Sequence, residues 1–426
     1  MKKSIVGLLF IIFTTTLFSQ APDWSWATQA GGSNGEFVHD IAIDIDRNCY
    51  VIGHFETKIT FGSKNLKSVG DYDIYVAKMD ENGKWLWATK AGGRYDDSGL
   101  NITIDNDGNI YVTGRFRGTA TFGSATITSN EGDDIFVAKM DKKGKWLWAS
   151  KAGGYYGGSF TGLVIDNNGN CYVTSNVVVA KLDANGNWLW TRYTEGSNIN
   201  DIVIDNDGNS YIVGDFYDTI NFDSYSLTSS GFNDIFVAKV DANGKWLWAK
   251  KTGGIDRESG SGIAIDDFKN CYVTGHFNGI VSFGSQTLKS SSDFNIFVAK
   301  MDENGKWLWA SKVDGSEERY VKDIAIDNNG NCFVVGEFEK TIIFGSTYLI
   351  STGEYDIFVA KMDENGKWLW ATNAGGGYRD FGNGIALDSY GNSYVVGKFE
   401  KRAIFGSTAL TSKGVTDIFV AKLSRY

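Results

Sequence analysis

The chain has 426 residues, with 41 Lys and Arg against 51 Asp and Glu, for a formal charge of −10. A chain this acidic, without a basic run, is poorly suited to nucleic acid, whose phosphates demand clustered Lys and Arg. A hydrophobic content of 42% with 14% aromatics excludes disorder, while 52 Gly, one Pro and three His point to a turn-rich protein without a histidine metal cluster.

At the N-terminus, Lys2-Lys3, the apolar run from Ile5 to Phe18 and the small residues of Ser19-Gln20-Ala21 make the three parts of an export signal. The apolar run is short for a membrane span. Residues 1–20 are therefore expected as a signal peptide and 21–426 as a single domain acting outside the cytoplasm, whether periplasmic, cell-surface or secreted. An uncleaved anchor is the alternative. Without the two leader lysines the balance becomes 39 against 51, or −12.

All 14 tryptophans fall in one motif, Trp-x-Trp, repeated seven times: Trp24/Trp26, Trp85/Trp87, Trp146/Trp148, Trp188/Trp190, Trp246/Trp248, Trp307/Trp309 and Trp368/Trp370. An Asp that closes an apolar run recurs in step at Asp44, Asp105, Asp166, Asp205, Asp266, Asp327 and Asp388, at intervals of 61, 61, 39, 61, 61 and 61. A fixed period of this kind means an array of like supersecondary units. In the unit beginning at Asp323, Asp323-Ile-Ala-Ile-Asp327 reads as a short strand a, and Asn328-Asn-Gly-Asn331 as a turn of residues that tolerate left-handed backbone. Cys332 to Phe338 reads as strand b, Asp356 to Asp363 as strand c, and Trp368 to Ala371 as strand d. Four antiparallel strands with period-two patterning are the content of a propeller blade, so the expected fold is all-β, a seven-bladed β-propeller.

The chain opens with a lone strand d, Trp24-Ser-Trp-Ala27, and finishes with strands a, b and c, ending at Asp417-Ile-Phe-Val-Ala-Lys422. The N-terminal strand is thus expected to complete the last blade and close the ring, which removes exposed edges; an open solenoid, with polar capping units, is the alternative. The short interval lacks 19 residues between strands b and c of the third unit. Elsewhere that excursion carries Phe-Gly-Ser or a variant, at Phe61, Phe122, Phe222, Phe283, Phe344 and Phe405. Strand alternation puts the b–c and d–a connections on one elaborated face, notched at the third unit, and the a–b and c–d turns on the other.

Asp105-Asn-Asp-Gly-Asn-Ile-Tyr-Val-Thr-Gly114 and Asp134-Ile-Phe-Val-Ala-Lys-Met-Asp141, with their copies from Trp24 to Lys422, resemble the bacterial seven-bladed β-propeller repeat family. That resemblance implies the propeller fold and, for a family found mostly in exported or surface proteins, no particular activity.

Candidate sites divide between packing and function. Two Trp rings spaced two apart share one sheet face, which favours packing between blades over a sugar-stacking platform. The strand-c lysines (Lys78, Lys139, Lys181, Lys239, Lys300, Lys361 and Lys422) are expected to pair with the nearby turn Asp residues rather than to form an anion-binding ring. The turns at Asp44-Ile-Asp46 and Asp105-Asn-Asp107 invite calcium, but their middle positions vary to Asn206 and Phe268, and Asp and Asn cap turns without metal. No cofactor is therefore expected, with calcium as the alternative. Cys49, Cys171, Cys271 and Cys332 share one register, too far apart for disulfides, and are expected as free buried thiols. His54 and His276 share a register with Arg115, Asp215, Glu337 and Lys398 and read as solvated surface positions.

The d–a loops diverge, and Tyr and Arg there are residue types that anchor interfaces. The expected binding residues are Arg94, Tyr95, Tyr155, Tyr156, Arg257, Arg319, Tyr320, Tyr378 and Arg379. They point to a non-catalytic binding or scaffold propeller, a monomer contacting a protein or glycan through this face, without nucleic acid or a membrane span. The alternatives are a polysaccharide hydrolase or lyase using carboxylates such as Asp96, Asp256, Glu258 or Glu317, and a passive structural surface protein.

Overall fold

A computed structural model describes residues 21–152, 160–290, 294–316 and 319–425. These residues form strands and turns and contain no helix. The expected leader lies outside the described residues.

In the sixth repeat, Arg319–Ile326, Cys332–Phe338, Asp356–Met362 and Trp368–Gly376 pair antiparallel in that order, as strands a to d. The third repeat forms the same four-stranded sheet from Phe160–Ile165, Cys171–Ser175, Val178–Leu182 and Trp188–Tyr193, without an excursion. In the last repeat, Asp380–Leu387, Ser393–Phe399 and Asp417–Leu423 supply a, b and c. Their fourth partner is the N-terminal strand Trp24–Gly32, with Trp26 opposite Lys422 and Ala30 opposite Ile418. The sheets are propeller-like blades.

Strand a starts four residues earlier than its apolar pattern predicts. A register shift between Val321 and Asp323 interrupts the alternation, so the first turns of the strand look like loop. Arg319 and Tyr320 therefore stand on a strand.

The b–c excursion is itself a hairpin, Thr341–Phe344 with Thr347–Ile350 in the sixth repeat. A residue with positive φ kinks strand b into it: Lys340 at 57°, with Thr57, Gly118, Asp218, Gly279 and Lys401 at the same place in other repeats. The hairpin then pairs with strand d of the preceding repeat, as in Asp314 opposite Ile343 and Gly375 opposite Ile404. Its Phe344 meets Phe358 at 5.2 Å and Trp368 edge-on at 4.9 Å, which puts the first tryptophan of this motif into its own blade's core.

The second tryptophan reaches the neighbour. Trp309 Nε1 donates to Glu364 O in the next repeat's c–d turn at 3.0 Å, and Trp26 Nε1 donates to Glu81 O at 3.1 Å. Packing within a blade for the first ring and between blades for the second, rather than a sugar platform, accounts for the pair. Neighbouring a strands also lie against each other, including Glu36–Ile43 against Asp380–Leu387. Three carboxylates latch them: Asp40, Asp201 and Asp323 accept the backbone N–H of Ile102, Ile263 and Ile385 at 2.8, 2.9 and 2.7 Å. The residue before each donating Ile is Asn101, Gly262 or Gly384.

Candidate functional site

Where the a strands gather, on the face of the d–a connections, near-identical repeats present unlike side chains. One half of this mouth is aromatic and cationic. Phe37 stacks on His54 with centroids 4.6 Å apart, and Lys398 Nζ stands 4.6 Å over Phe37 and 4.9 Å over Phe381. Tyr355 stacks on Phe381 at 5.9 Å. Lys322 Nζ lies 5.1 Å over Tyr320 and 2.9 Å from Glu337 Oε1. Cations over ring faces gain strength as water is excluded. The opposite half is polar: Asp215 accepts from Asn198, Asn200 and Asn233 Nδ2 at 3.1, 3.1 and 2.9 Å, and from Ser259 Oγ at 2.8 Å.

His54 and His276 are not solvated surface positions, as their register with charged residues suggested. Both are half-buried in this mouth, His54 Nδ1 lying 3.2 Å from His39 Nε2 and His276 Nε2 accepting from Val321 N at 3.2 Å. Burial, aided by nearby cations, pulls His39 and His276 down to about 4. His54, lowered mainly by burial and then by His39, falls to about 2. Burial likewise lowers Lys398 and raises Glu337.

Behind the mouth, several d–a corners bury a charged residue where strand a begins. Asp97, Glu258 and Asp380 accept the backbone N–H of Gly93, Gly254 and Gly376 at 2.6, 2.8 and 2.6 Å. Burial raises Asp97 and Glu258 each to about 7. Glu258, a candidate hydrolytic carboxylate, is thus committed to the fold. Arg319 occupies the equivalent position and is 1% exposed, its Nη2 donating to Asn295 Oδ1 at 2.8 Å. It was expected as an exposed anchor; the early start of strand a carries it inside instead. Tyr320, next to it, is half-buried in the mouth.

The remaining predicted residues form an exposed rim. Arg94 is exposed, and Tyr95 is exposed beside Arg117, whose guanidinium lies 5.8 Å over its ring. Arg257 lies 5.5 Å over exposed Phe232. Tyr378 accepts a hydrogen bond from Lys401 Nζ at 3.0 Å, and Arg379 Nε donates to Glu354 Oε2 at 2.6 Å. Val69, Ile255 and Val415 add exposed apolar groups to this rim. Asp96 is exposed and Asp256 half-buried. Tyr155, Tyr156 and Glu317 lie outside the described residues. Phe37, Lys322, Tyr355, Phe381 and Lys398 escaped the sequence reading as site residues. The signal available was a strand-b position whose charge changes from repeat to repeat between constant neighbours.

On the opposite face the turns are self-contained. Asp44 accepts from Asn48 N, Asn48 Nδ2 and Tyr50 Oη at 2.8, 2.8 and 2.9 Å. Lys78, Lys139, Lys181, Lys239, Lys300 and Lys361 pair with their turn carboxylates over 3.1 to 3.7 Å, an arrangement of ion pairs rather than an anion site. The four cysteines are buried and free. Among the described residues, no group of three or more His, Cys, Asp or Glu is placed to hold a metal ion, and no helix is long and apolar enough to cross a membrane.

A β-propeller repeat family model matches residues 86–115 and 369–398. The chain is 24% identical, over 494 aligned positions and 94% of its length, to an uncharacterized WD repeat-containing protein L264 of Acanthamoeba polyphaga mimivirus. It is 27% identical over 205 positions, 46% of its length, to the regulatory protein FlaEY of Caulobacter vibrioides. It spans 33% and 21% of the lengths of these two relatives. The crystal structure of the WD40 β-propeller domain of Doa1 superposes with a TM-score of 0.51 at 12% identity, covering 93% of this chain and 96% of that one. That likeness speaks for the fold alone.

Proposed function

We propose that residues 21–426 form one closed, seven-bladed propeller that works outside the cytoplasm as a non-catalytic scaffold, holding a protein or glycan partner on its d–a loop face. Seven Trp-x-Trp motifs, the pairing of Trp24–Gly32 with Asp417–Leu423 and the contact of the first a strand with the last support the ring. Lys2-Lys3 and the apolar run after them support export.

The observation that carries the binding role is the contrast between repetitive blades and an unrepetitive mouth. Aromatic and cationic groups gather on one side and the Asp215 amide network on the other, within a rim of Tyr95, Phe232, Arg257, Tyr378 and Arg379. Large rigid rings and Arg are the groups that anchor interfaces.

Glycan-array binding, protein crosslinking at the native surface and a polysaccharide depolymerisation assay form the test, each run on the wild type and on a Tyr95→Ala/Arg257→Ala/Tyr378→Ala variant. Binding lost in the variant with its melting curve unchanged supports the reading. Turnover abolished by one loop carboxylate substitution overturns it.

A further inference from the structure

The d–a corners balance their charge in different ways. At Asp73 and Asp97, Lys90 Nζ lies 2.6 Å from Asp73 Oδ2; at Asp234 and Glu258, Lys251 Nζ lies 2.7 Å from Asp234 Oδ2. The corner at the start of the fourth repeat is uncharged, with Ser197 Oγ donating to Thr194 Oγ1 at 2.8 Å. At the start of the sixth repeat the acidic pair is gone: Asn295 stands for the strand-c Asp, and the Arg319 guanidinium fills the place of the second carboxylate. The same corner of the fold therefore accepts a cation wherever its side chains supply one.

At Asp356 and Asp380 the strand-d position supplies none. The position of Lys90 and Lys251 is Asn373, whose Nδ2 donates to Asp356 Oδ2 at 3.4 Å. Asp356 and Asp380 are 1% and 0% exposed, yet Oδ1 of each has no hydrogen-bond partner. A buried, unpaired carboxylate oxygen is costly, and this corner holds two, where the corners with Lys90 and Lys251 hold one each, on Asp73 and Glu258. The carboxylates flank Gly375: a Cβ built there would lie 2.7 Å from Asp356 Oδ1 and 3.0 Å from Asp380 Oδ2, so the two groups stand within about 6 Å of each other. A cavity of about 490 Å³ adjoins Asp356, lined also by Asn373, Tyr378, the Gly375–Gly377 backbone and, on its exposed side, Arg402.

We propose that the Asp356/Asp380 corner binds one hard divalent cation of the magnesium or calcium class, which does there what Arg319 does in the preceding corner. Such ions take carboxylate oxygens and keep part of their water shell, which the adjoining cavity can supply. Asp417 and Glu36, with Gln29 at the lysine position, form a similar corner, but exposed Lys413 stands nearby and weakens its pull on a cation.

The test strips the purified protein with EDTA and measures Mn²⁺ stoichiometry by electron paramagnetic resonance, then melting with Mg²⁺ or Ca²⁺ added. The wild type binds Mn²⁺ at neutral pH and melts higher with Mg²⁺ or Ca²⁺. The Asp356→Asn/Asp380→Arg variant, which transplants the Asn295–Arg319 pair, loses one bound Mn²⁺ per chain while keeping the wild-type circular dichroism. If that variant fails to fold, Asp380→Asn, which keeps the shape of the side chain, weakens Mn²⁺ binding about tenfold or more. A wild type that binds no Mn²⁺, or a folded variant with undiminished stoichiometry, overturns the proposal.

Discussion

Trp24 stands edge-on to Phe405, their ring centroids 5.3 Å apart, although 381 positions separate them in the chain. Trp85 meets Phe61 in the same way at 4.8 Å, within one repeat. If the first strand is as much a part of its sheet as any other, Trp24→Ala and Trp85→Ala should each remove about 3–5 kcal/mol, the usual loss for truncating a buried aromatic. Urea unfolding of the two variants compares them directly. A loss below about 1 kcal/mol for Trp24→Ala would mean that the terminal strand rests on the sheet without belonging to it.

Glycine stands at residue 53, 114, 214, 275, 336 and 397, one position in strand b, because strand a passes too close for a side chain. At Gly336 a Cβ would lie 1.9 Å from Tyr320 O, a collision with backbone that no rotamer relieves. Gly336→Ala is expected to cost about 3 kcal/mol or more. Gly377→Ala, with nothing within 4 Å, should stay within about 0.5 kcal/mol of the wild type in the same thermal melts.

Buried carboxyls and buried imidazoles make stability depend on pH in opposite senses. Burial raises Asp40, Asp97 and Glu258 to about 7 and Asp323 to about 6. Their contribution is complete at acid pH and is lost as pH rises toward and through those values, because the unfolded chain ionises first. The histidines contribute above their unfolded value and lose it as pH falls. Above pH ~6.5 only the carboxyls titrate, so stability should decline from there to pH ~8. Glu258→Gln, which keeps an acceptor for Gly254 N, should flatten that limb and recover up to ~3 kcal/mol at pH ~8. A limb unchanged by the substitution, in denaturant melts with EDTA present, would show that Glu258 ionises freely.

His39 and His54 should remain neutral well into the acid range, since a proton on either would be buried beside the other ring and near Lys398 and Arg115. Long-range ¹⁵N–¹H NMR spectra of the imidazoles report this. At pH ~5.5 both rings are expected in a neutral tautomer, whereas an exposed histidine would be mostly protonated.

The strands, the repeat and its missing excursion were legible in the sequence because Trp-x-Trp, the Asp-closed run and the Asn-Gly turns recur at one interval. So was the pairing of strand-c lysines with turn carboxylates, since both lie at the same end of the blade, on either side of strand b. The start of strand a was not legible: the register shift before Asp323 breaks the two-residue alternation on which strands are recognised, and Arg319 passed for a surface loop residue. Phe37, Phe381 and Lys398 were hidden for another reason. Which side chains meet in the mouth depends on how successive sheets rotate against one another, and no local pattern within a repeat carries that.

The third repeat's shortened b–c link has a mechanical consequence. Elsewhere, as at Gly31 opposite Thr60, Gly92 opposite Thr121 and Gly375 opposite Ile404, two adjacent sheets are stitched by main-chain bonds as well as by side chains. Among the described residues, no such stitch joins the third repeat to the second or to the fourth. Under tension, in an optical trap or against a flowing surface, tearing should begin at one edge of that third sheet, before the stitched junctions yield.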